Sequence, residues 1–327
     1  MNESRAEPLE GPVTTPSTAA ASPSVTPVAQ PPAGTPQRRR SLGSIGMVLS
    51  AGVSVQFGGA LAASLMPRAG ALGVVTLRLL AAAVVLLVVC RPRVRGHSRA
   101  DWATVIVFGL TMAGMNGLFY QSIARIPLGP AVALEVLGPL ALSVLASRRA
   151  INLVWAGLAL AGVMLLSGGG FGSLDVVGVL FALGAGAMWA AYIVFSARTG
   201  RRFPQADGLA LAMVVAAVLF LPLGIAESGT RLLDPMTLAL GSAVAVLSSV
   251  LPYTLELSAL RRLPASTFAI LMSLEPAIAA TAGFLVLSQA LSTTEALAIA
   301  LVIAASMGVV LTQTGRRKTA VTLPEEP

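Results

Sequence analysis

Apolar runs of about twenty residues, separated by short polar breaks, fill almost the whole chain. Ten can be marked, at 42–65, 71–90, 102–123, 128–146, 151–167, 175–196, 208–225, 236–257, 265–287 and 294–312. Roughly 20 helical residues cross the ~30 Å hydrocarbon core of a bilayer, so the pattern predicts an all-α integral membrane protein with ten transmembrane helices. Residues 1–40 break the pattern: they are rich in Pro, Ser, Thr and Ala and hold no apolar run. They are expected to form a disordered cytoplasmic tail, and no cleavage pattern marks them as a secretory signal. The stretch LSGGGFGS at 166–173 has the glycines of a phosphate loop but no Lys-Ser/Thr after them. It joins two runs and reads as a flexible turn.

Inside the runs a degenerate repeat appears. Arg125, Pro127 and Pro139 recur as Arg262, Pro264 and Pro276, each 137 positions later, and Leu134 and Leu137 recur as Leu271 and Leu274 at the same offset. Each copy carries one glutamate, Glu135 in the first and Glu275 in the second. Five runs precede the midpoint and five follow it. An odd number of crossings per half turns the second half over, so the two halves are expected to form an inverted repeat. That divides the chain into a first repeat at 41–170, a second at 174–313 and a cytoplasmic tail at 314–327.

The breaks between runs carry the charge. Arg38 to Arg40, Arg91, Arg93, Arg95, Arg99, Arg148, Arg149, Arg198, Arg201, Arg202, Arg261, Arg262 and Arg316 to Lys318 fall on one side, if ten spans alternate. Only Arg68, Arg125 and Arg231 fall on the other. An excess of Lys and Arg marks the cytoplasmic face, which puts both termini in the cytoplasm.

Composition agrees with the pattern. Hydrophobic residues make up 55% of the chain and charged residues 11%, against roughly 25% charged in a soluble domain. The net charge is +8, but its arginines sit in short clusters between apolar runs, so a nucleic-acid partner is not expected. Cys90 and His97 are the single residues of their kinds. They leave no basis for a disulfide framework, a metal site or a cofactor.

Four ionisable residues interrupt the apolar runs: Arg78, Glu135, Glu256 and Glu275. A charge at mid-bilayer costs at least ~2.5 kcal/mol on insertion scales, so such residues usually face a cavity or a partner. Pro139 lies one turn after Glu135, and Pro276 directly follows Glu275. A proline removes the N–H that would bond the carbonyl four residues earlier. A glutamate beside a freed carbonyl makes a polar spot suited to an ammonium group or a proton. Packing within the bundle, or pairing with Arg78, is the structural alternative for these charges. Asn116 and Tyr120, Trp189 and Tyr192, and Ser249, Tyr253 and Glu256 fall at helical spacing, as residues lining a wet cavity or an aromatic belt would. Gly184, Gly186 and Ala190 give a small-residue face for close helix packing. No nucleophile–base set is visible, which disfavours an enzyme.

The strings RIPLGPAVALEVLGP at 125–139, SRR at 147–149, LPYTLE at 251–256, LMSLEP at 271–276 and IAASMG at 303–308 resemble the EamA-type branch of the drug/metabolite transporter superfamily. The resemblance covers about residues 42–313. It implies ten helices around a central cavity, in a bacterial inner (plasma) membrane. It also implies export of small neutral amino acids of the threonine or homoserine kind, driven by protons. In that reading Glu135 or Glu275 takes the substrate ammonium and exchanges a proton, with Glu135 preferred. Arg78, or the start of a proline-broken helix, takes the carboxylate, and Asn116, Tyr120, Trp189, Tyr192, Ser249 and Tyr253 complete the site. One departure is plain: the superfamily often has Gly-Glu at the end of the ninth span, where this chain has Ser288-Gln289. A permease for another metabolite or drug, and a non-transporting membrane scaffold, are the alternatives.

Overall fold

The structure is a computed structural model that describes residues 36–147, 150–166, 174–203, 207–252, 255 and 270–321. The glycine-rich turn at 167–173, Tyr253, Glu256 and the Arg261–Arg262 pair lie outside the described residues. Among those described, all regular structure is helical: α1 (Pro36–Cys90), α2 (Arg99–Ile123), α3 (Leu128–Glu135), α4 (Leu137–Ser147), α5 (Ala150–Leu166), α6 (Val176–Gly200), α7 (Asp207–Ser228), α8 (Pro235–Ala245), α9 (Glu275–Leu287) and α10 (Thr293–Val321).

Seven helical segments among the described residues are long and apolar enough to cross a membrane. The difference from ten has local causes. The first two expected spans form one element, of which Gly43–Cys90 is the apolar part. It bends at Gly70, whose φ of 63° and ψ of 168° are open to glycine and strained for other residues. The fifth and eighth expected spans are shorter apolar helices, Ile151–Leu165 and Pro235–Val250. In the eighth, α8 passes into a π turn at Val246–Val250. The fourth remains one long segment, Leu128–Leu145, with a turn at Val136 between α3 and α4.

The bend in α1 is held from the other half of the chain. A helix that restarts exposes unpaired N–H groups at its new N-terminus, and a carboxylate is a suitable acceptor there. Leu72 and Gly73 donate their N–H groups to Glu227 Oε2 at 2.7 and 3.0 Å. The neighbouring Ser228 hydroxyl bonds the Ala69 carbonyl, and Thr76 Oγ1 bonds Phe220 O at 2.9 Å. These contacts fix the second limb of α1 against α7 and so set the direction of Arg78. The next connection is capped conventionally. Asp234 caps α8 through the Thr237 N–H, and that bond and the Thr237 hydroxyl hold its carboxyl below the usual carboxylate range.

Two large apolar clusters fill most of the interior of the described residues, and a smaller one joins Leu140, Ala159, Ala305 and Val309. One packs α1, α2 and α7 around Leu65, Phe108 and Tyr120. The other packs α3, α6, α9 and α10 around Leu134, Val136 and Val302. Met66 and Phe119 touch both. The outer surface is itself apolar: Val89 and Leu233 are each 73% exposed and Leu145 is 77% exposed. Large aliphatic side chains bared to this degree suit contact with lipid tails.

Candidate functional site

A cavity of about 590 Å³ lies among α1, α2, the α3–α4 break, α6, α9, α10 and the π turn. Its wall includes Arg78, Asn116, Tyr120, Glu135, Trp189, Tyr192 and Glu275. The structure thus brings together seven of the nine residues that the sequence singles out for substrate binding. Ser249 does not line it and Tyr253 lies outside the described residues. In place of Ser249 the wall carries Ser248. The π turn at Val246–Val250 explains the shift, since one extra residue per turn rotates the face that a regular helical wheel would present.

Arg78 reaches the cavity from the second limb of α1. Its Nη1 donates to Asn116 Oδ1 at 2.5 Å and to Tyr120 OH at 3.5 Å, and its Nη2 to Ser248 O at 3.4 Å. The guanidinium carbon lies 5.6 Å from the Tyr120 ring centroid. Asn116 is oriented by its own bond from Nδ2 to Met112 O, 2.8 Å. Every one of these partners is neutral. Among the described residues the ion pairs are Arg125–Asp175 and Arg202–Asp101, so Arg78 is held in place without a carboxylate on it. A cation steadied by neutral groups keeps its charge available to an anionic ligand.

The carboxylates reach the same cavity from other elements. Glu135 is the last residue of α3, and Val136 separates it from α4. Pro139, four residues on, brings no N–H to the Glu135 carbonyl. Gly186 of α6 packs there instead: a Cβ on it would lie 2.5 Å from Glu135 O and 3.2 Å from Gly138 N. The small-residue face of α6 therefore seats the break in the fourth span. Glu275 sits in the first turn of α9 with Pro276 behind it and is 7% exposed. Sequence reasoning overlooked Gln56, Ser143, Ser248, Ser273 and Ser306, all in the wall. Gln56 had a signal, as an amide within an apolar run. The serines had none, because a transmembrane serine is as often turned back onto its own helix.

The Ser288-Gln289 departure has a structural role. Leu128 N–H, at the start of α3, donates to Gln289 Oε1 at 3.0 Å, and Pro127 before it offers no side-chain cap. Gln289 thus caps a helix 161 positions away. Ser288 turns the chain there with φ 55° and ψ 30°, a left-handed conformation that costs an L-residue about 1–2 kcal/mol. Ser288→Gly is expected to stabilise the protein by about 1 kcal/mol, read as a raised unfolding temperature in detergent with Gln289 still in place.

Comparison with known proteins places this cavity in context. The model of the EamA-like transporter family matches residues 176–311. The threonine/homoserine exporter RhtA of Salmonella typhimurium is 43% identical over 268 residues, which is 81% of this chain and 90% of the exporter. RhtA of Escherichia coli K12 is 42% identical over the same shares. An uncharacterized transporter of Bacillus subtilis, YwfM, is 31% identical over 62% of this chain and 71% of its own. A solved crystal structure of a protein 21% identical in sequence superposes with a TM-score of 0.53, covering 84% of this chain and 98% of that one. That likeness speaks to the fold.

Proposed function

This chain belongs to the EamA-like transporter family of multi-pass membrane proteins, and we propose that it is a secondary active exporter of small neutral amino acids of the threonine and homoserine kind. The observation that carries the reading is the polarity of one cavity: Arg78, whose hydrogen-bond partners among the described residues are neutral, shares it with the carboxylates Glu135 and Glu275. An amino acid is a zwitterion and needs an anionic and a cationic partner at once. Arg78 takes its carboxylate, Glu135 its ammonium, and Asn116 and Tyr120 fix the guanidinium plane. Trp189 and Tyr192 shape the apolar side of the pocket. The identity to exporters whose names specify threonine and homoserine supports this substrate class.

The architecture we propose is ten spans in two inverted halves, with both termini cytoplasmic. Gly43–Cys90, 48 residues, is far too long for one crossing at 1.5 Å per residue and bends at Gly70, which suits two spans. The two shorter apolar helices supply the rest. The Arg202–Asp101 pair ties together two of the arginine-rich connections, and Arg125–Asp175 ties together two of the arginine-poor ones, in keeping with opposite faces. Halves of this kind suit alternating access. Glu135, a titratable group in the cavity, is our choice for the proton-coupling residue, with Glu275 as its second.

Counterflow tests the reading. Full-length protein in liposomes loaded with unlabelled threonine should accumulate radiolabelled threonine from outside, and an imposed pH gradient should drive net movement. Liposomes that exchange no amino acid at all would overturn it. In the same assay Arg78→Lys should raise the half-saturating threonine concentration about tenfold, because a point ammonium cannot hold a carboxylate in the bidentate way while bonded to Asn116 and Ser248.

A further inference from the structure

One group in the cavity wall has no role in the site as described. Ser306 of α10 is 7% exposed, and its Oγ is buried with no hydrogen-bond partner among the described residues. A helical serine normally returns its hydroxyl to the carbonyl one turn back. Ser248 does so, to Val244 O at 2.6 Å, whereas Ser306 does not. Ser122 and Thr199 also hold buried, unpartnered hydroxyls, but neither lines the cavity. An unmade hydrogen bond at a buried hydroxyl costs on the order of 1–3 kcal/mol, which a ligand with a matching group recovers.

Its place on the helix says what it meets. Val302, Ser306 and Val309 are spaced four and three apart and share one face of α10. Val302 packs in the cluster that holds Leu134 and Val136, and Val309 packs in the cluster with Leu140. Ser306 therefore faces the α3–α4 break, the element that carries Glu135. A change of staggered χ1 well re-aims the hydroxyl.

We infer that the Ser306 hydroxyl reads the side-chain hydroxyl of the transported amino acid and selects hydroxylated substrates over apolar isosteres. The inference rests on the amino-acid export reading. With the ammonium at Glu135 and the carboxylate at Arg78, the side chain is the part left to face α10. A site built to bond a hydroxyl rejects the analogue that lacks it more strongly than an apolar pocket separates two similar shapes.

The test is a ratio. Threonine against valine, and homoserine against norvaline, differ by a hydroxyl in place of a methyl. In counterflow, Ser306→Ala should lower the preference for the hydroxylated member of each pair about tenfold, mainly through weaker threonine and homoserine transport. Ser306→Thr, which keeps a hydroxyl, should retain most of the preference. A merely structural role would move both members together and leave the ratio alone. An unchanged ratio in Ser306→Ala, or a wild type that takes valine as readily as threonine, would overturn the inference while leaving amino-acid export standing. Absence of counterflow for every amino acid with the wild type would remove both.

Discussion

Replacing Glu135 with glutamine is expected to abolish threonine export while leaving the protein inserted and folded. Glutamine keeps the size of the side chain and removes both its charge and its ability to carry a proton. The Glu135 side chain makes no hydrogen bond to another described residue, and the amount of protein in the membrane and its unfolding temperature are expected to stay near wild type. The substrate ammonium, by contrast, loses its charged partner in a desolvated cavity. Truncating one member of such a pair typically costs 2–5 kcal/mol, so transport should fall on the order of 100-fold or more. Export from cells measures the sum of binding and coupling, and counterflow separates them. If Glu135 served coupling alone, Glu135→Gln would still exchange threonine across liposomes but ignore an imposed pH gradient. Wild-type export by the variant would remove Glu135 from the site. Glu275→Gln is the instructive partner: Glu275 is more deeply enclosed, at a helix start with Pro276 behind it, so its loss should show first in protein yield.

Most of what the sequence revealed concerns single helices, and most of what it hid concerns pairs of them. Apolar runs, the proline after each glutamate and the arginine within an apolar run are local, and among the described residues they correspond to helices, a break and a cavity residue. Where a contact joins distant positions, no periodicity announces it. Glu227 caps Leu72 and Gly73 across the bend at Gly70, and neither partner hints at the other. Gln289 reads as a lost acid in one dimension and as the cap of α3 in three. A helical wheel groups Ser249 with Tyr253 and Glu256 because it assumes 3.6 residues per turn, and the π turn at Val246–Val250 departs from that assumption at the site itself. The merging of the first two spans has the same origin. Gly70 bends the element without ending it, which a reading of hydropathy resolves as two runs and a backbone trace as one.

The close approach of α4 and α6 makes Gly138→Ala the second large effect. A Cβ at Gly138 would be built into the backbone of Gly186, against its carbonyl oxygen and carbon. A flexible side chain could swing aside from such a contact, but a helix backbone cannot, so the two helices must separate along their length. Overpacking in a core usually costs 1–3 kcal/mol, and with main chain on the receiving side the cost belongs at or above the top of that range. The displacement also falls on the site. Glu135 and Pro139 flank Gly138 on one side of the seam, and Trp189 and Tyr192 follow Gly186 on the other, all in the cavity wall. Gly138→Ala is therefore expected to lose threonine export and to unfold at lower temperature in detergent, although it adds only one methyl group and improves helix propensity. Gly157→Ala is the matched control. A Cβ there meets nothing within 4 Å, so the same chemical change should leave export intact and, by propensity alone, stabilise α5 by up to about 1 kcal/mol. If Gly138→Ala exported threonine like Gly157→Ala, the seam between α4 and α6 would not be what holds Glu135 in place.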